Sequence, residues 1–170
     1  PTFSASGVFR VMNSDTFGAP DDEGGEENDW GLDTNADSIL KLQTDFGGDI
    51  IATREYPIPP KLREAEKTER MQRSIESAVR CLKLIENPGQ IEQRRDADSR
   101  TIERLKKRKA NGDDPGVFVA IHGHDYETIN WYVARFLDRV REEDVAQPFN
   151  GFAIGSLVPL RSRMELLVDI

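Results

Sequence analysis

Four short stretches of the sequence combine residue types that could bind a planar, hydrogen-bonding ring. They are residues 6–10 (SGVFR), 54–57 (REYP), 122–125 (HGHD) and 155–157 (GSL). Together they supply an aromatic face that could stack on a ring, a carboxylate that could accept its N–H groups, and glycine-exposed backbone amides that could hold a carbonyl oxygen. His122 and His124 could instead bind a metal ion, but two histidines without a third ligand make a poor zinc site.

These stretches follow apolar runs that predict buried strands. The runs do not alternate with polar residues, which is typical of parallel strands covered on both faces. Ligands of parallel α/β proteins bind at the carboxyl ends of the strands, so we expect the four stretches to meet at one edge of the sheet. The predicted strands are residues 2–11, 49–53, 116–121 and 151–158.

Helical patterns separate the predicted strands. Apolar residues recur at three- and four-residue spacing, and Asn87-Pro88-Gly89 is a strong helix stop. Asp125 is most simply the N-cap of the helix that follows it. The predicted helices are residues 38–46, 61–85, 126–140 and a last one starting near Leu160.

Two segments stand apart from this alternation. Residues 15–37 contain nine acidic and no basic side chains, and we expect an exposed acidic loop there. Residues 94–111 predict a charged helical insertion with Ile102 and Leu105 as its clear apolar anchors.

Charge is unevenly distributed along the chain. The formal net charge is −8, yet residues 61–110 hold fifteen basic and nine acidic side chains. This segment could bind nucleic-acid phosphates, or it could be a solvated, ion-paired helical surface. The candidate phosphate contacts are Arg104, Lys106, Lys107 and Arg108.

The alternation of strands and helices predicts an α/β fold with a parallel sheet. A doubly wound sheet and a (β/α)8 barrel both fit the pattern. No glycine-rich phosphate loop follows the first strand, which weighs against a dinucleotide-binding sheet. A complete barrel takes roughly 250 residues, so in the barrel interpretation the 170 residues would form one domain, residues 1–170, that is part of a TIM-type barrel.

Composition limits the class of protein. An apolar fraction of 37% and a charged fraction of 32% predict a folded, highly charged protein without a transmembrane helix. The first ten residues lack the features of a secretory signal. Cys81 is the single cysteine, so no internal disulfide can form, and its place on a helical apolar stripe indicates a core position. We expect a cytoplasmic protein that does not bind membranes.

The order of the four stretches resembles the tRNA-guanine transglycosylases over nearly the whole chain. Residues 3–10 are similar to that family's "TDSGGFQ" strand, and residues 48–56 to its "ADIIMAFDEC" strand. Residues 117–124 resemble its "GxVQGG" strand, and residues 151–159 its "GYAIGGLxVGE" strand. The resemblance implies a (β/α)8 barrel that exchanges guanine in nucleic acid for a 7-deazaguanine.

Carried over residue by residue, the resemblance implies a set of base-binding positions. Phe9 would stack on the exchanged base, Ser156 would donate its backbone N–H to the base carbonyl, and Leu157 would offer its backbone C=O to an amino group. His122 replaces a base-contacting glutamine, and Gly123 keeps the backbone close. The full set is Ser6, Gly7, Phe9, Glu55, His122, Gly123, Gly155, Ser156 and Leu157.

This chain also departs from the family pattern. Ala5 stands where the family has an acid/base Asp, and Arg54 where it has an Asp that recognises guanine, although Glu55 beside it matches. The resemblance places the nucleophilic Asp and the Cys and His ligands of a structural zinc beyond Ile170, so no cofactor is expected in this segment. We therefore expect residues 1–170 alone to be inactive.

Two functions follow from the resemblance, and an unrelated parallel α/β enzyme is a third interpretation. One is an active pentosyltransferase that works on tRNA or, in a related branch favoured by Ala5 and Arg54, on DNA. The other is a non-catalytic, transglycosylase-like subunit that binds RNA or a partner barrel, as a homodimer or heterodimer. Plainer roles also exist for single residues: Phe9 in a core, Glu55 as a helix cap or ion-pair partner, and Gly155 in a turn.

Overall fold

A computed structural model of the chain describes residues 2–4, 35–56, 58, 62–93, 96–123 and 125–155. Within these residues the fold is α/β, with strands and helices alternating along the chain. The strands are β1 (Phe3–Ser4), β2 (Ile50–Ala52), β3 (Gly116–Ile121) and β4 (Gly151–Ile154). The helices are α1 (Ala36–Asp45), α2 (Glu64–Glu86), α3 (Asp96–Ala110) and α4 (Tyr126–Glu142), with a short 3-10 turn at Pro88–Gln90.

The four strands form one parallel sheet in the order β1-β2-β3-β4. The predicted α/β class and the parallel sheet are therefore confirmed. Strand β3 has the predicted bounds, and β2 is one residue shorter at each end than predicted. The remainders of the predicted first and last strands, residues 5–11 and 156–158, lie outside the described residues, as does the helix predicted near Leu160.

Helix α1 begins two residues before its predicted start. The Oδ1 atom of Asn35 accepts a hydrogen bond from the Ser38 backbone N–H at 2.9 Å and caps the helix. Asp37 lies in the first turn, is buried, and accepts two hydrogen bonds of 3.1 Å from Arg80. The predicted acidic loop, residues 15–37, therefore extends too far along the chain, because Asp37 belongs to α1 and pairs with a side chain of α2. Residues 15–34 lie outside the described part of the chain.

Helix α2 supplies much of the core. It ends at Glu86, where Asn87 and Pro88 were predicted to stop it. Cys81 is buried on its apolar face, as predicted, and burial raises the pKa of its thiol to about 12. The other buried apolar residues of this helix are Met71, Ile75, Ala78, Val79, Leu82, Leu84 and Ile85.

Helix α3 is attached more firmly than its sequence suggests. Ile102 and Leu105 are buried, as predicted. Polar contacts to α1 add to them: the Thr101 hydroxyl donates to Asp45 at 2.7 Å, and Lys41 contacts Asp98 at 3.0 Å. Polar side chains therefore add to the two apolar anchors in attaching α3 to α1.

Helix α4 packs an aromatic cluster against the sheet. Asp125 caps it by accepting from the Thr128 N–H at 2.8 Å, as predicted. Phe136 is fully buried, and its ring meets Phe149 and Phe152 edge-on, at centroid distances of 5.2 and 5.9 Å.

The strand order bears on where the connecting helices lie. Each strand pairs with the strand before it, and crossovers that follow the general right-handed rule would place the connecting helices on the same side of the sheet. Val117, Val119 and Ile121 belong to the buried core, whereas Phe118, which alternates with them, is half-buried. None of the helices in the described part of the chain combines the length and the apolar character that a bilayer crossing requires.

Candidate functional site

The carboxyl ends of β2, β3 and β4 bring together Glu55, His122 and Gly155. Glu55 follows β2 by three residues, His122 directly follows β3, and Gly155 directly follows β4. The Oε2 atom of Glu55 lies 2.6 Å from Nε2 of His122. The two side chains are therefore in direct polar contact. Glu55 was predicted as a base contact or as a cap or ion-pair partner, and in the structure it pairs with His122.

Gly155 lies directly against this carboxylate–imidazole pair. Its backbone N–H donates to the Ile121 carbonyl at 2.8 Å, which fixes the end of β4 beside the end of β3. A Cβ atom on Gly155 would lie 2.8 Å from Cε1 and 2.9 Å from Nε2 of His122, and 2.9 Å from Oε2 of Glu55. The position therefore requires glycine for a close approach, which is more than a simple turn would demand.

The backbone on both sides of the pair is held by side chains that the sequence patterns did not single out. The Thr53 hydroxyl accepts a hydrogen bond from the Ala120 N–H at 3.0 Å and so joins the ends of β2 and β3. The Tyr132 hydroxyl donates to the Ala120 carbonyl at 3.1 Å. Burial, and secondarily the negative charge of Glu55, raise the pKa of Tyr132. This phenol therefore stays neutral and remains a donor.

Arg54 and Tyr56 flank Glu55 in the loop that follows β2 and contacts α2. The guanidinium carbon of Arg54 lies 3.5 Å from the centroid of the Tyr56 ring, and that of Arg73 lies 4.5 Å from it. Both Arg54 and Tyr56 are buried, and the Tyr56 N–H donates to the Ser74 hydroxyl at 2.8 Å. Such cation–π contacts fix the loop that carries Glu55.

Gly123 allows the start of α4 to lie close to the end of β3. A Cβ atom at this position would overlap Cγ1 of Ile129 and lie 3.2 Å from the Ile129 backbone nitrogen. The expected close backbone approach is thus made to α4, and a contact of Gly123 with a base stays a prediction.

The other predicted base-binding positions lie outside the described residues. This group includes the acid/base position Ala5 and the second histidine of the 122–125 stretch. Its members are Ala5, Ser6, Gly7, Phe9, His124, Ser156 and Leu157.

Within the described residues, no group of three or more His, Cys, Asp and Glu side chains is placed to hold a metal ion. The described partner of the His122 imidazole is the Glu55 carboxylate.

An open cleft of about 670 Å³ lies beside Tyr56, between the start of α1 and α2. Its lining mixes acidic and basic side chains, and Arg80 there is already paired with Asp37. Glu55 and His122 do not line it, so we place the candidate site at the strand ends and not in this cleft.

The four basic residues predicted to contact phosphate have two different environments. Arg104 donates to the Thr44 carbonyl at 2.9 Å, and Arg108 donates to the Gly48 and Asp113 carbonyls, each at 2.8 Å. Lys106 and Lys107 are exposed. The two arginines thus attach α3 to the corner between α1 and β2, and the two lysines are the better candidates for binding phosphate.

We predict that the double variant Lys106→Glu, Lys107→Glu weakens nucleic-acid binding by the complete protein. Two lost phosphate contacts should also lower the slope of log affinity against log salt by about two. Fluorescence anisotropy over a salt series measures both quantities. Arg135→Glu with Arg141→Glu is the matched control, because it reverses two charges at exposed positions on α4, outside residues 61–110. Equal binding by the lysine variant and the wild type would make this surface a solvated one.

Chemically, the strand-end site offers an acceptor and a rigid support for it. A carboxylate with one oxygen on an imidazole keeps its second oxygen for N–H donors of a ligand.

A comparison with protein-family models found no match for this chain, and a comparison with curated protein sequences found none either.

Proposed function

We propose that this chain is part of a transglycosylase that exchanges guanine in nucleic acid for a 7-deazaguanine. The observation that carries the proposal is the meeting of Glu55, His122 and Gly155 at the carboxyl edge of a parallel sheet. Three of the four stretches singled out in the sequence contribute to that one place. A short carboxylate–imidazole pair under a glycine backbone suits a flat ligand with N–H donors on one edge.

The strand order supports the barrel that this function implies. A doubly wound sheet reverses its strand order at a switch point, whereas the barrel adds each strand beside the previous one. The order β1-β2-β3-β4 has no reversal among the described strands. The helices cover one face, and the half-buried Phe118 on the other face is then a side chain of the barrel interior.

Guanine and 7-deazaguanines share the edge that Glu55 would recognise. Both carry a ring N–H and an exocyclic amine side by side, and an ionised carboxylate is an acceptor only. The family resemblance assigns the neighbouring carbonyl oxygen to the backbone N–H of Ser156, the residue after Gly155. The site thereby favours guanine-type bases over adenine, which presents an unprotonated ring nitrogen at the same position.

The proposed reaction is a double displacement at the pentose C1′. An Asp carboxylate, which the family resemblance places on a later strand, attacks C1′, and the C1′–N9 bond breaks with its electron pair going to the leaving guanine. Solvent protonates the departed guanine and takes up the N9 proton of the incoming 7-deazaguanine, which forms the new C1′–N9 bond and expels the carboxylate. Glu55 binds the base in both halves of this exchange, and His122 and Gly155 lie beside its carboxylate.

DNA is the proposed substrate, since Ala5 and Arg54 replace the two Asp residues that the tRNA enzymes use. We expect the complete protein to incorporate a labelled 7-deazaguanine into duplex DNA, as counted in acid-precipitated nucleic acid. Labelling of tRNA alone would overturn the choice of DNA, and labelling of neither would overturn the enzymatic proposal. The structural zinc and a cytoplasmic location belong to this proposal as well.

A non-catalytic, transglycosylase-like subunit is the second candidate, and Ala5 is the observation that favours it. Such a subunit would bind RNA or a partner barrel and would not label nucleic acid by itself. Adding the catalytic partner would then restore labelling, which separates the two candidates.

A further inference from the structure

We propose that His122 is a positioning residue that does not contact the base but holds the Glu55 carboxylate in the orientation that binds it. This inference rests on the proposed function. It changes the role of His122, which the sequence resemblance makes a direct base contact.

The exposed fractions of the two side chains indicate that Glu55 lies nearer to the solvent than His122. The side chain of His122 is 2% exposed, whereas that of Glu55 is 13% exposed. A ligand arriving at the strand ends therefore reaches the carboxylate and not the imidazole. Nε2 of His122 lies against Oε2 of Glu55, so Oε1 is the carboxylate oxygen left for an N–H group of a ligand.

The support behind the carboxylate is rigid. His122 follows Ala120 and Ile121, whose backbone groups bond to Thr53, Tyr132 and Gly155. Gly155 lies within van der Waals reach of both partners of the pair and closes the remaining space. An imidazole held this way leaves the carboxylate few orientations, which lowers the cost of ordering it when a base binds.

The charged and polar groups around the pair fit a supporting role. Arg54 stacks on Tyr56 in the loop that carries Glu55, and Tyr132 donates to the Ala120 carbonyl beneath it. Loss of the His122 imidazole should therefore release Glu55 without removing the acceptor itself. Binding of a base should weaken although the base loses no direct partner.

A double-mutant cycle on the complete protein tests this inference, with the affinity for guanine base measured by isothermal titration calorimetry. The variants are His122→Leu, Glu55→Ala and the combination of the two. A group that acts only through Glu55 adds nothing once Glu55 is gone. We expect each single variant to bind guanine about 10- to 100-fold more weakly, and the double variant to bind no more weakly than Glu55→Ala.

His122→Gln is the conservative variant, because its side-chain amide can donate to Glu55 from nearly the same place as Nε2. We expect it to regain most of the affinity that His122→Leu loses. It also keeps a polar group at the site, so the test does not depend on His122→Leu folding.

Each outcome bears on a different statement. Additive losses in the cycle, or a His122→Gln variant as weak as His122→Leu, would overturn the positioning role and leave the proposed function standing. A wild-type protein that binds neither guanine nor a 7-deazaguanine would overturn the proposed function and this inference with it. Non-additive losses with recovery in His122→Gln would support both.

Discussion

Replacing Gly155 with alanine is expected to abolish base exchange by the complete protein. The new Cβ would lie within 2.9 Å of His122 Nε2 and Glu55 Oε2, distances at which one of the groups must move. Because His122 is buried and Glu55 contacts it directly, the pair has to open or β4 has to shift. We expect kcat/KM to fall by about 100-fold or more, as it does when positioning at a reacting site is lost.

Gly89→Ala is the matched control for this substitution. Gly89 lies in the exposed 3-10 turn after α2, where the nearest atom to an added Cβ is the end of the Asn87 side chain at 3.3 Å. That variant should keep wild-type exchange rates. Full activity in Gly155→Ala would mean that the strand-end pair is not part of the active site.

The largest expected effect on stability is that of Phe136→Ala. The ring is fully buried and is the common member of the contacts with Phe149 and Phe152. Truncation would leave a cavity between α4 and β4 and should lower the free energy of unfolding by about 3–5 kcal/mol. Urea denaturation of the complete protein, followed by circular dichroism, measures the change.

Trp131→Ala on the same helix is the control for Phe136→Ala. Trp131 is 39% exposed, so its truncation should lower the free energy of unfolding by less than about 1 kcal/mol. Similar losses in the two variants would contradict the assignment of the aromatic cluster to the core.

The sequence predicts the sheet well because its strongest signal is hydrophobic periodicity. Residues 116–121 form a non-alternating apolar run with clear ends, and β3 occupies them without a shift. The caps at Asn35 and Asp125 are also local signals, since a capping side chain reaches only three residues ahead.

The side-chain pairing at the site could not be predicted in the same way. Strand ends indicate which residues share an edge, but the 2.6 Å contact of Glu55 with His122 depends on rotamers and on the approach of Gly155. The roles of Thr53 and Tyr132 depend on strand register, which periodicity alone does not give. A hydroxyl in a strand-to-loop position is a weak signal that could have pointed to Thr53.

The attachment of α3 illustrates the same limit for charged residues. In the sequence, Arg104 and Arg108 look like members of a basic surface. In the structure, their long side chains donate to carbonyls at the corner after α1. Such bonds join residues about sixty positions apart, and no local pattern records them. Lys106 and Lys107, by contrast, are exposed side chains of the same helix.

The most direct test of the central claim is a crystal structure of the complete protein with a bound 7-deazaguanine. The proposed function and the positioning role together predict that Glu55 Oε1 accepts hydrogen bonds from the N–H edge of the base, while His122 stays behind the carboxylate on Oε2. A base bound away from the ends of β2, β3 and β4, with the Glu55–His122 pair untouched, would contradict the claim.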